Sequence, residues 1–227
     1  MNAVIFYSNT GQSKAVATYF AEALEYPLVN IEVACAERYQ NLVLVFPVYC
    51  QNIPDIIKSF IEKVSATNLT LVATYGKMCC GNVLQEIQKS YSQNIVAAAY
   101  VPTKHSYIAD DNAFNDYEKL TEVVQKVKNP AAITLPKLYK NPLADIFPRL
   151  RSRLGLTITK NANCTACNLC EKNCSCYAIH AGVINANCIR CLKCVTVCPN
   201  SALEIKVRLP LKLYLKKKKS NKIIVYV

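Results

Sequence analysis

Val4–Leu24, VIFYSNTGQSKAVATYFAEAL, is the stretch on which the fold turns. Val4 to Tyr7 form a short apolar strand. Ser13 to Leu24 read as a helix, with Val16, Tyr19, Phe20 and Ala23 on one face at i, i+3, i+4, i+7 spacing. Between them lies a loop of short polar residues and one glycine. The alternation continues downstream. Leu28–Val33 reads as a second strand, and Asn41–Val48 (NLVLVFPV) as a third strand, buried on both faces. Pro54–Val64 is helical, with its proline near the first turn. Leu69–Tyr75 and Ile95–Val101 read as the fourth and fifth strands, Asn82–Tyr91 and Phe114–Val127 as helices. Strands alternating with helices predict an α/β domain over residues 1–128, its parallel sheet covered on both faces.

Residues 129–155 read as a connector. Pro130, Pro136, Pro142 and Pro148 argue against one long helix there, and a short one over Ala144–Leu154 fits beside the cluster of Arg149, Arg151 and Arg153. Residues 156–205 carry two cysteine runs. The first is C-x2-C-x2-C-x3-C at Cys164, Cys167, Cys170 and Cys174. The second repeats it at Cys188, Cys191, Cys194 and Cys198, followed by Pro199. Each iron of a four-iron cluster needs a thiolate, and a C-x2-C-x2-C turn wraps three corners of one. Zinc sites instead favour two C-x2-C pairs. Residues 206–227 form a basic tail whose apolar and basic residues alternate before Lys216–Lys219. It reads as an amphipathic hairpin with the lysines at its turn, against a solvated tail or edge strand as the plainer reading. An anionic partner or membrane surface would be its target.

No apolar stretch approaches the ~20 residues of a membrane span. The first residues lack a charged region and a cleavage site, so a cytoplasmic protein is expected. Thirteen cysteines in such a chain imply reduced thiols or metal rather than disulfides. Cys35, Cys50, Cys79, Cys80 and Cys176 fall outside the runs and read as small buried apolar residues. The net charge of +12 is uneven: 12 basic and 13 acidic residues up to Asp145, then 15 basic and 2 acidic from Ile146.

The paired runs resemble those of bacterial two-cluster (2[4Fe-4S]) ferredoxins. In that family the fourth cysteine of each run ligates the other cluster. The resemblance therefore implies Cys164, Cys167, Cys170 and Cys198 on one cluster and Cys188, Cys191, Cys194 and Cys174 on the other. Ser175 stands where the family has proline after the fourth cysteine, and Cys176 is an alternative to Cys174. Of the two histidines, His105 and His180, His180 lies between the runs and reads as structural, since eight thiols already suffice. Two such clusters add about −4 of charge, which offsets part of the basic excess. The remainder suits an acidic face on a redox partner rather than nucleic acid.

The loop Ser8-Asn9-Thr10-Gly11-Gln12-Ser13 has two readings from its residues alone: an ordinary capped helix start, or a phosphate cradle at a helix N-terminus. Its form resembles the phosphate loop of flavodoxins, over residues 2–128. That family implies a doubly wound sheet in order 2-1-3-4-5, with FMN at its carboxyl edge. Ser8 to Ser13 would then hold the FMN phosphate. Pro47, Val48, Tyr49 and Cys50, with Gln51 and Asn52, would lie against the flavin. Thr74, Tyr75, Gly76 and Lys77, with Gly81 further on, would cover its pyrimidine edge. Two readings stand for Tyr49, a stacked ring or plain packing, and two for Lys77, a solvated loop lysine or a partner for an anionic flavin. Asp110 and Asp111 would reach the ring region or face solvent. Only about seven residues, Ala34–Gln40, occupy the place of the family's helix between strands two and three.

Together these resemblances imply a flavodoxin–ferredoxin fusion: an electron-transfer iron–sulfur flavoprotein with FMN and two [4Fe-4S] clusters. Electron transfer within one chain and between subunits of a homodimer both stay open. An FMN-dependent reductase of a quinone or nitro compound is the enzymatic alternative. A dicluster carrier with a flavin-free docking domain is the third reading.

Overall fold

The computed structural model describes residues 1–35, 38–108, 116–145, 148–217 and 219–227. Strands that bury both faces set the N-terminal architecture. β1 (Asn2–Phe6), β2 (Leu28–Asn30), β3 (Arg38–Pro47), β4 (Ser65–Tyr75) and β5 (Ile95–Pro102) are parallel and lie in the order β2-β1-β3-β4-β5. Strand periodicity sends alternate residues to opposite cores. Leu42, Leu44 and Phe46 face one core, with Ile57, Phe60 and Ile61 of α2 (Asp55–Ile61) and Val83, Leu84 and Ile87 of α3 (Val83–Ser90). Val43 and Val45 face the other, with Val16, Phe20 and Leu24 of α1 (Gln12–Leu24) and Val123 and Val127 of α4 (Leu120–Lys128). The sheet is thus mostly parallel and covered on both faces, consistent with a flavodoxin-like fold.

Two strands start earlier than their apolar runs. Arg38↔Ser65 and Tyr39↔Ala66 continue the β3–β4 ladder through polar sequence, because Tyr39 and Ala66 still bury their side chains. Between β2 and β3 the described residues form a turn at Ile31–Val33 and no helix. α4 begins at Leu120 rather than Phe114; Phe114, like Asp110 and Asp111, lies outside the described residues.

The proline-rich segment is not a loose connector up to Asn141. Irregular backbone must still satisfy its N–H and C=O groups, and here side-chain amides do so. Gln88 donates to Ile133 O (2.7 Å) and accepts from Leu135 N–H (2.8 Å). Leu138 N–H donates to Asn82 Oδ1 and Asn141 N–H to Gln51 Oε1, both at 2.8 Å. Lys140 pairs with Glu86 at 2.9 Å. The segment is a strap sewn to α3, within a compact unit formed by Met1–Asn141 and Lys219–Val227.

Pro142–Lys218 form a second compact unit. It holds α5 (Pro148–Gly155), β6 (Leu156–Lys160), α6 (Leu169–Lys172), β7 (Ile179–His180), β8 (Val183–Ile184), α7 (Lys193–Thr196), β9 (Leu203–Val207) and α8 (Leu209–Leu215). β6 pairs antiparallel with β9, and β7 with β8. The chain then returns to the first unit as β10 (Ile224–Tyr226), antiparallel to β5, a sixth strand at the edge of the sheet. The second unit is therefore an insertion between elements of the first rather than an appendix.

Among the described residues the tail is a helix and then an edge strand rather than a hairpin, so its last residues follow the plainer reading. Leu209–Leu215 are helical because Arg208 is extended and Pro210 opens the first turn, where a missing N–H costs nothing. The strand comes only after the lysines, where Ile223 is buried and Ile224, Val225 and Tyr226 are half-buried.

Candidate functional site

The cysteine runs fold as two copies of one local structure. Cys164 and Cys188, Cys167 and Cys191, Cys170 and Cys194, and Cys174 and Cys198 are each 24 residues apart. The backbone repeats with the same period. Ala166 and Arg190, Asn168 and Leu192, and Tyr177 and Ser201 all adopt positive φ. Such residues are uncommon outside glycine. Here Ala166, Asn168, Arg190 and Leu192 reverse the chain between successive cysteines, so that thiols three apart face a common centre, while Tyr177 and Ser201 turn it after the fourth. α6 and α7 each follow the left-handed residue, carrying Cys170 and Cys194.

The same repeat governs hydrogen bonds to sulfur. Ala178 N–H donates to Cys174 Sγ and Ala202 N–H to Cys198 Sγ, both at 3.2 Å. Arg190 N–H donates to Cys188 Sγ at 3.4 Å. Serine in place of proline at position 175 leaves this geometry unchanged. Tyr177 N–H donates to Cys174 O at 3.0 Å, as Ser201 N–H does to Cys198 O at 3.3 Å.

Cys174 leaves its own run. It lines one cavity with Cys188, Cys191 and Cys194, walled by Ile179, Ile184 and Leu192. Cys176 lines the same cavity. Burial pushes the Cys191 thiol up to about 12 and Cys194 to about 11, with neighbouring thiols adding to each. Without a cation these thiols stay protonated; a metal centre supplies the charge that makes them thiolates. In the first run, burial also raises Cys170, with Cys164 and Cys167 close enough to add to it. Asn200 Nδ2 donates to Thr165 Oγ1 at 2.8 Å and pins the Cys198 turn to that run. Among the described residues, no three or more of His, Cys, Asp and Glu gather as a site for a single metal ion. A cluster whose irons each take one thiolate spaces its ligands around a cavity. His180 points away, its Nδ1 3.0 Å from Glu171 Oε1 and its side chain largely exposed.

At the carboxyl edge of the parallel sheet, the loops after β1, β3, β4 and β5 meet. α1 opens at Gly11, in the left-handed region at φ 83°, so its cap residue has no side chain to satisfy the first-turn N–H groups. Of the sequence-derived loop residues, Ser8, Thr10 and Gln12 are half-buried and Gly11 is exposed, while Asn9 and Ser13 turn inward. Ser13 Oγ bonds Thr74 Oγ1 at 2.7 Å. Asn9 Nδ2 donates to Tyr7 Oη (3.0 Å) and Tyr49 Oη (2.7 Å). The bond to Tyr49 joins the loops after β1 and β3, where the strand order reverses and α/β sheets bind ligands. Among the described residues, Asn9 Oδ1 is buried without a partner. A bound group carrying a donor would complete it.

Pro47 ends β3, and Val48 N–H donates to Thr74 O at 2.8 Å. Cys50 and Gln51 take positive φ in a tight turn closed by Tyr49 and Asn52. Gly81 backs onto it: a Cβ there would lie 2.9 Å from Gln51 O. Gly76 likewise leaves room for His105, whose Cδ2 would be 2.5 Å from an added Cβ. Lys77 is 4% exposed, so the solvated reading of this lysine does not hold. Its carbonyl accepts from Ser220 N–H at 2.7 Å, and Tyr75 Oη donates to Lys222 O. The tail thus fastens the loop after β4, a role invisible in either local sequence.

Residues 181–204 match the family described as Fer4, 4Fe-4S binding domain. This segment contains all four cysteines of the second run. It indicates iron–sulfur electron transfer through at least one [4Fe-4S] cluster. Among solved structures, the Trp repressor binding protein from Bacillus subtilis is similar over 58% of this chain and 100% of its own, at 16% identity and a TM-score of 0.34. No curated protein is a significant match in sequence. Among the described residues, no helix is long and apolar enough to cross a membrane.

Proposed function

We propose that the chain is an electron-transfer iron–sulfur flavoprotein, passing single electrons between two [4Fe-4S] clusters and FMN. The observation that carries the reading is the cavity shared by Cys174 with Cys188, Cys191 and Cys194. One run alone cannot supply that set. Exchange of the fourth cysteine implies a reciprocal set of Cys164, Cys167, Cys170 and Cys198, hence two clusters. The N–H groups of Ala178, Arg190 and Ala202, aimed at ligand sulfurs, stabilise added negative charge and favour the reduced state.

FMN, when bound, supplies a centre that carries two electrons and exchanges them singly. The chain's part is to hold it. The open first turn of α1, with Ser8, Thr10 and Gln12 beside it, suits the phosphate. Ser13 and Asn9 act as braces, fixing the loop to Thr74 and to Tyr49. Pro47, Val48, Tyr49, Cys50, Tyr75, Gly76 and Lys77 belong to the loops that would meet the flavin.

Iron and flavin analysis of the anaerobically reconstituted full chain tests both cofactors. The expected result is about eight iron atoms and about one FMN per chain. Iron without flavin would leave a dicluster carrier whose α/β unit only docks partners. About four iron atoms would contradict the paired sites.

A further inference from the structure

α8 (LPLKLYL) is almost wholly apolar, yet none of its residues is buried. Leu211 faces α5: a Cβ on Gly155 would lie 2.9 Å from Leu211 Cδ2. That contact fixes which side of the helix is turned away. Leu209 and Leu213, one turn apart on the other side, are 66% and 57% exposed. Lys212 and Lys216 follow each of them by three residues and are exposed as well. From Ile205 to Val227 there are eight lysines and arginines and no acidic residue.

Single exposed leucines are ordinary on protein surfaces. A leucine pair at helical spacing, ringed by cations and free of acids, is the pattern of a helix lying in a membrane interface. Protein interfaces are depleted of lysine, and leucine is under-represented among their hot spots. Seven helical residues span only about 10 Å, so this helix can lie on a bilayer but not cross it.

We propose that α8 docks the cluster-bearing unit on an anionic phospholipid surface. Leu209 and Leu213 enter the boundary between headgroups and acyl chains. Arg208, Lys212, Lys216 and Lys217 lie among the anionic headgroups. The inference rests on this helix and is independent of flavin binding.

Flotation of the reconstituted full chain with vesicles tests it, using phosphatidylcholine alone or mixed with phosphatidylglycerol. Binding is expected to the mixed vesicles, rising with phosphatidylglycerol content and falling with salt. The double variant Leu209→Gln, Leu213→Gln should weaken vesicle affinity about tenfold or more. Its cluster absorbance should be unchanged, because both side chains are exposed. Absence of flotation would overturn the proposal. So would flotation that survives the double leucine variant, since charge alone would then account for it. Salt-sensitive retention on an acidic redox protein, lost in the leucine variant while vesicles stay unbound, would assign the face to a protein partner instead.

Discussion

Replacing Cys191 with alanine lowers the iron content from about eight to about four atoms per chain, because one cluster loses a ligand. Cys191 is the most strongly shifted of the cavity thiols, pushed to about 12 by burial. Removing it leaves Cys174, Cys188 and Cys194 around an open corner. Cys174→Ala is expected to be milder, since Cys176 lines the same cavity two residues away. The double variant Cys174→Ala, Cys176→Ala should match Cys191→Ala. Iron assay with electron paramagnetic resonance of the reduced protein reads all three. Full iron in Cys191→Ala that persists when Cys176 is replaced as well would refute its assignment. Equal losses in Cys174→Ala and the double variant would remove Cys176 as a substitute.

Deleting residues 220–227 destabilises the N-terminal α/β unit, although the deleted residues lie at the opposite end of the sequence. Ile223 packs in the core beneath α1 and α4, and Ile224 and Tyr226 pack against the other core. β10 also closes the edge of β5, from Ala98 to Tyr100. Losing one buried and three half-buried apolar side chains costs about 3–6 kcal/mol, a large share of the stability of an ordinary domain. The exposed edge would add a tendency to aggregate. Thermal unfolding of the truncated chain should show a markedly lower midpoint for the sheet transition. An unchanged midpoint would mean that β10 contributes nothing beyond its own order.

The parts legible in the sequence were those whose signal is local. Val4–Tyr7 and Asn41–Val48 announce buried parallel strands through unbroken apolar runs. The cysteine spacing announces thiols grouped around metal. For β10 an edge strand is legible in IIVYV, but its partner β5 is not, because β5 lies far away along the chain, beyond the entire inserted unit. The strap was hidden for a different reason. Its backbone is satisfied by Gln85, Gln88, Asn82 and Gln51, which lie far from it in sequence and carry no pattern. From its place in the loop, Ser13 reads as a residue that would hold the phosphate. Its hydroxyl proved to be engaged by Thr74, a pairing that depends on two strand ends meeting.

On the proposed function, one polypeptide holds two clusters and a flavin that share electrons. Anaerobic reductive titration of the reconstituted full chain tests it most directly. Uptake of about four electrons per chain is expected, one for each cluster and two for the flavin. Flavin and cluster absorbance should re-equilibrate with each other after every addition. Uptake of only about two electrons, with no flavin bleaching, would contradict it.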